Sequence, residues 1–90
     1  MARLGMDADE VEAVAGQLHT QSGNLQNAMT QITNLVNKAV QVWDGQDSKQ
    51  FQDAWISQHQ PGLKRAAEAI EQLSQAAKTN AARQREVSNS

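Results

Sequence analysis

Ninety residues with a formal net charge of −2, eight scattered basic residues and no cysteine exclude a phosphate-neutralising stripe, a disulfide framework and a thiolate metal site. Only 3% of the residues are aromatic and 39% hydrophobic, too few large side chains for a compact sheet-based interior. Five glycines, a single proline and an abundance of Ala, Gln, Glu, Lys and Arg are instead the profile of long helices.

The first helix is expected from Asp7. Asp7 and Glu10 have the spacing of a capping box, and Asp9 and Glu12 set further negative charge against the helix dipole. From there Val11, Ala15, Leu18, Ser22, Leu25, Met29, Ile32, Val36, Ala39 and Trp43 alternate spacings of four and three, the heptad signature of a helix packed along a seam. Val14, Ala28, Leu35 and Val42 lie beside that seam, so the apolar stripe is wider than a two-stranded coiled coil requires and faces more than one neighbour. Gly16 and Gly23, seven apart, read either as tolerated helix glycines or as marks of a close helix crossing.

Trp43-Asp44-Gly45-Gln46-Asp47-Ser48 breaks the pattern, with Gly45 free to take the left-handed conformation that ends a helix and Asp47 or Ser48 able to cap the next. The second helix carries Phe51, Trp55, His59, Leu63, Ala66, Ile70, Leu73, Ala77, Asn80 and Val87 on one face. Pro61 removes a backbone donor inside it. Because Trp55, Ala66 and Ala77 are spaced by eleven, the apolar phase survives the proline, and a kink is expected rather than a break.

These signals predict one all-α domain over residues 1–90: helix one at about 7–42, a turn at 43–47, helix two at about 48–84 with a kink near Pro61, and a frayed tail at 85–90. The short turn forces the helices antiparallel, with residue i opposite about 91 − i. That register brings the acidic first turn toward Arg83 and Arg85. One hairpin cannot cover both wide stripes, so two are expected to form a dimeric four-helix bundle, with Leu18, Leu25, Met29, Ile32, Val36, Ile70 and Leu73 as the interface candidates.

The three aromatics, Trp43, Phe51 and Trp55, all bracket the turn. They either plug the end of the hairpin or offer Trp43 as an anchor at a protein interface. His19 and His59 are the only imidazoles, and the antiparallel register keeps them apart, so no shared metal or acid–base site is expected. No nucleophile–base pair or phosphate loop is present either. The chain reads as a non-enzyme without cofactor, metal or nucleic-acid partner. A buried His59 would form a pH-sensitive contact; an exposed one would simply reach solvent.

Trp43-Asp44-Gly45 at the chain's midpoint, flanked by heptad stripes and followed by Asp47, Phe51 and Trp55, resembles the defining motif of the Trp-X-Gly, early-secreted-antigen-like family, and the similarity extends through His59, Pro61 and Leu63 to Asn80-Ala81. The resemblance implies helical hairpins that pair as homodimers or heterodimers and leave Gram-positive bacteria, folded and paired, through an ATP-driven type VII apparatus. It also implies that Trp43 and Gly45 contribute to a composite recognition site completed by a C-terminal Tyr-X-X-X-Asp/Glu signal. That second half does not carry over: the chain has no tyrosine, and Ala82 stands four residues before Glu86. A partner supplies it, another tail signal replaces it, or native residues follow Ser90.

The expected function is that of a type VII secretion substrate or pairing subunit acting by protein–protein contact, with the system's ATPase as a further partner. The alternative is an intracellular helical adaptor or structural coiled coil that is not exported. Met1 to Glu12 lacks the apolar core of a signal peptide, and no window approaches the roughly 20 apolar residues of a membrane span. Export without a cleaved signal, from a cytoplasmic pool, is therefore the expected route.

Overall fold

The computed structural model describes residues 7–89. Among them every regular element is helical: α1 (Ala8–Val42), α2 (Gln46–Ala54), a π turn (Trp55–His59) and α3 (Gln60–Asn89). The last three run on without interruption, so the chain forms a hairpin of two long helical arms. It divides into two compact units, Met1–Ser22 with Glu68–Ser90 and Gly23–Ala67.

The second unit contains the turn. α1 stops at Val42 because Gly45 holds φ 121° and ψ 178°, a backbone region that is essentially open to glycine alone. Gly45 also starts the next helix. α2 begins at Gln46, two residues before the expected position, and neither Asp47 nor Ser48 caps it with a side chain. Ser48 lies one turn in, buried, and its Oγ donates to the Gly45 carbonyl at 2.8 Å. The earlier start moves the centre of the hairpin to Asp44-Gly45, so Asn37 bonds Gln52 and Thr33 bonds Trp55, two to three residues away from the expected 91 − i register.

Met29, Val36, Trp55 and Ala67 form the core of this unit, with Leu25 and Leu63 packed against it. Trp55 is only 8% exposed, and its indole Nε1 donates to the Thr33 Oγ1 at 2.9 Å. That hydroxyl in turn donates to the Met29 carbonyl at 2.8 Å, so the buried indole and threonine are both satisfied. Pro61 neither breaks nor simply kinks the helix. The ladder widens ahead of it, with the Gln60 N–H bonded to the Trp55 carbonyl five residues back, and Pro61, lacking a donor, falls where α3 resumes normal spacing.

The first unit begins with the expected cap: Asp7 Oδ1 accepts the N–H groups of Asp9 and Glu10 at 3.2 and 3.3 Å. Its buried residues are small. Ala15, Ser22, Ser74 and Ala81 are all almost fully covered, and Ser74 Oγ donates to the Ala15 carbonyl at 2.7 Å. His19 pairs with Glu71, the second carboxylate oxygen lying 2.8 Å from Nδ1. Arg85 reaches Asp9 at 2.6 Å and also bonds Glu12. These partners, Asp9 first, hold the guanidinium above its ordinary pKa; as exposed ion pairs they fix register more than they add stability.

The tail expected to fray is helical as far as Asn89, with Arg85 tied to the first turn of α1; Ser90, its last residue, lies outside the described residues. Gly16 and Gly23 have open space where a Cβ would stand, so neither marks a close crossing within the chain. Gly45→Ala is expected to lose about 1–3 kcal/mol through backbone strain alone, since no atom would clash. Gly16→Ala is expected to gain about 1 kcal/mol. Ala81→Leu should overpack the fully buried seam and lose about 1–3 kcal/mol. Urea titration followed by circular dichroism measures all three.

Candidate interaction surfaces

The expected cluster of three aromatics divides in two. Trp55 turns into the core, bonded to Thr33, whereas Trp43 and Phe51 remain on the surface, 43% and 46% exposed. Their ring centroids are 5.8 Å apart with the planes tilted by 54°, an ordinary favourable aromatic geometry. The division has a local cause. Trp43 stands one residue beyond the end of α1 and Phe51 one turn before Trp55, so the pair caps the outside of the turn while Trp55, four residues on, faces α1. Val42, next to Trp43 in the chain, is exposed as well, as are Asp44, Gly45, Asp47 and Lys49 in and after the turn. The tip thus exposes an aromatic pair beside charged residues of both signs.

Of the seven residues expected at an interface between hairpins, Met29 and Val36 instead belong to the core of the second unit, and Leu25 packs against it. Leu18 and Ile70 are half-buried, and Ile32 and Leu73 are exposed. Val14, Leu35, Val42, Ile56 and Val87 are also exposed and were not among the seven. The sequence carried a signal for four of these, with Val87 on the apolar face expected of the second helix. Val14, Leu35 and Val42 keep the heptad spacing one residue ahead of the seam. Ile56 had none, because the π turn changes the phase there.

In the first unit, Val14 and Leu18 stand at the same angular offset from the Ala15 seam as Leu73 and Ile70 do from Ser74. For antiparallel helices, equal offsets place the residues on one side of the pair. Ala69, Leu73 and Ala76 extend this face of α3 as exposed, mostly small residues. In the second unit, Ala28, Ile32, Leu35, Ala39 and Val42 continue the corresponding face of α1. Both units therefore show solvent a smooth apolar strip, the kind of surface that other proteins cover with a partner.

His59 is exposed on the π turn, without the burial that a pH-sensitive contact needs, and His19 is engaged with Glu71. Among the described residues no three His, Asp or Glu side chains gather as metal ligands, and no helix is long and apolar enough to cross a membrane.

The sequence model of a family described as proteins of 100 residues with WXG matches residues 3–87. No curated protein and no solved structure matches the chain. The family is associated with type VII secretion substrates, and its members generally form hairpin dimers. With Trp43-Asp44-Gly45 at the turn between two helical arms and the match running over almost the whole sequence, the chain belongs to the WXG100 family.

Proposed function

We propose that this protein is a type VII secretion substrate, or the pairing subunit of one, that leaves the cell as a folded dimer from a cytoplasmic pool and acts by protein–protein contact rather than catalysis, with no cofactor. The observation behind this reading is the distribution of side-chain size. Small residues fill the seam of the first unit, while Val14, Leu35, Leu73 and other large apolar residues remain in water. A second hairpin, identical or related, would bury both strips in a four-helix bundle. The exposed Trp43–Phe51 knob beside Gly45 is then free for the secretion ATPase.

Sedimentation of the protein purified from its host, at micromolar concentration, is expected to give a dimer. Leu73→Asp should give a monomer with unchanged helicity, since the residue is 59% exposed and outside the seam. A wild-type monomer that stays fully folded at that concentration would overturn the pairing.

Export makes a separate demand on Trp43. The protein is expected in culture filtrate and to disappear from it when the membrane ATPase of the secretion system is disabled. Trp43→Phe keeps most of the apolar area but loses the indole donor and its outer edge. It should fold and pair with near-normal thermal stability and be exported poorly. Normal secretion of a stable Trp43→Phe protein would count against a recognition role specific to the tryptophan.

A further inference from the structure

The buried positions repeat every seven residues in both arms. In α1 they are Ala15, Ser22, Met29 and Val36; in α3 they are Ala67, Ser74 and Ala81. From Trp55 to Ala67, however, the interval is twelve. Eleven residues make about three α-helical turns, so an unbroken α-helix would return Ala66 to the face of Trp55. The π turn takes up the surplus residue.

Without that turn, α3 would be rotated by about 100°. Ala66, Leu73 and Asn80 would replace Ala67, Ser74 and Ala81 at the seam. This second phase is the more amphipathic one. Ala66, Ile70, Leu73 and Ala77 would face α1, and Arg65, Gln72, Thr79 and Glu86 would take over the outer face. The two phases make opposing demands, and the observed one also holds the pairs His19–Glu71 and Arg85–Asp9. The observed one fits Ser74 closely against the Ala15 carbonyl at 2.7 Å but leaves Leu73 59% exposed. The rotated one buries Leu73 but must hold the helices further apart.

We propose that the π turn is a phase switch for α3. With the widened turn at Trp55–His59, α3 displays its apolar face; when the surplus residue runs out toward the end of α3, the helix rotates and stows Ile70 and Leu73 against α1. Pro61 eases the exchange, because the hydrogen-bond ladder lacks a donor there in either phase. Ile56, Ser57, Gln58 and His59 are exposed, so the turn has room to reform. The consequence for pairing rests on the proposed dimer: a second hairpin would bind only the displayed phase, and stowing would protect the unpaired chain from aggregation.

Disulfide trapping in the full-length chain tests the switch directly. Ala15→Cys with Ser74→Cys reports the displayed phase, and Ala15→Cys with Leu73→Cys reports the stowed one. Both pairs are expected to cross-link in the isolated, dilute protein, with circular dichroism of the reduced variants confirming intact helices. Deletion of Ser57 removes the surplus residue and lets an unbroken α-helix keep Ala67, Ser74 and Ala81 at the seam. The Leu73 cross-link should then fall at least tenfold while the Ser74 cross-link persists. Cross-linking through Ser74 alone in the parent, or an unchanged ratio after the deletion, would overturn the proposal. The dimer is judged separately by sedimentation, so a chain that never pairs but shifts its cross-links as described would refute the pairing and retain the switch.

Discussion

The short contact between Ser74 Oγ and the Ala15 carbonyl sets the terms for the packing of the first unit. A serine hydroxyl can reach the backbone of a facing helix only when nothing larger than alanine or serine stands between them. Ala15, Ser22, Ser74 and Ala81 meet that condition in the first unit. Helices packed so closely have no place at their seam for leucine or isoleucine. In this unit the large apolar side chains Val14 and Leu73 therefore stand on the flanks of the helices, exposed to solvent.

Much of this was legible in the heptad of α1, in the Asp7 cap and in the opposition of Asp9 and Glu12 to Arg85, because these depend on spacing and charge along single helices. What spacing leaves open is which of two adjacent faces turns inward. In α1, the rows beginning at Ala15 and Val14 have the same period, and in the first unit close approach selects the smaller Ala15 and Ser22 over Val14 and Gln21. Met29 and Val36 could equally have served a partner until Trp55 drew them into a core. In the second arm, the eleven-residue spacing of Trp55, Ala66 and Ala77 favoured the wrong row, because a π turn leaves no mark in composition or period. Its only sequence correlate is Pro61, which is equally compatible with a kink.

The turn concentrates the remaining constraints. Gly45 alone accepts the backbone geometry that stops α1 and starts α2, so the position of Trp43 is fixed by backbone conformation and not by burial. An indole left 43% exposed by its own fold lies tilted against a phenylalanine, the ring centroids 5.8 Å apart.

The contrasting surroundings of the two indoles have an optical consequence. Trp55, enclosed and hydrogen-bonded to Thr33, should emit at shorter wavelength and resist aqueous quenchers, while Trp43 should emit further to the red and be quenched readily. With no tyrosine in the chain, all the intrinsic emission excited at long ultraviolet wavelengths comes from these two rings. One spectrum thus carries two independent channels, the integrity of the core in its blue component and the occupancy of the tip in its red one, and a docking event can be followed in real time without any label.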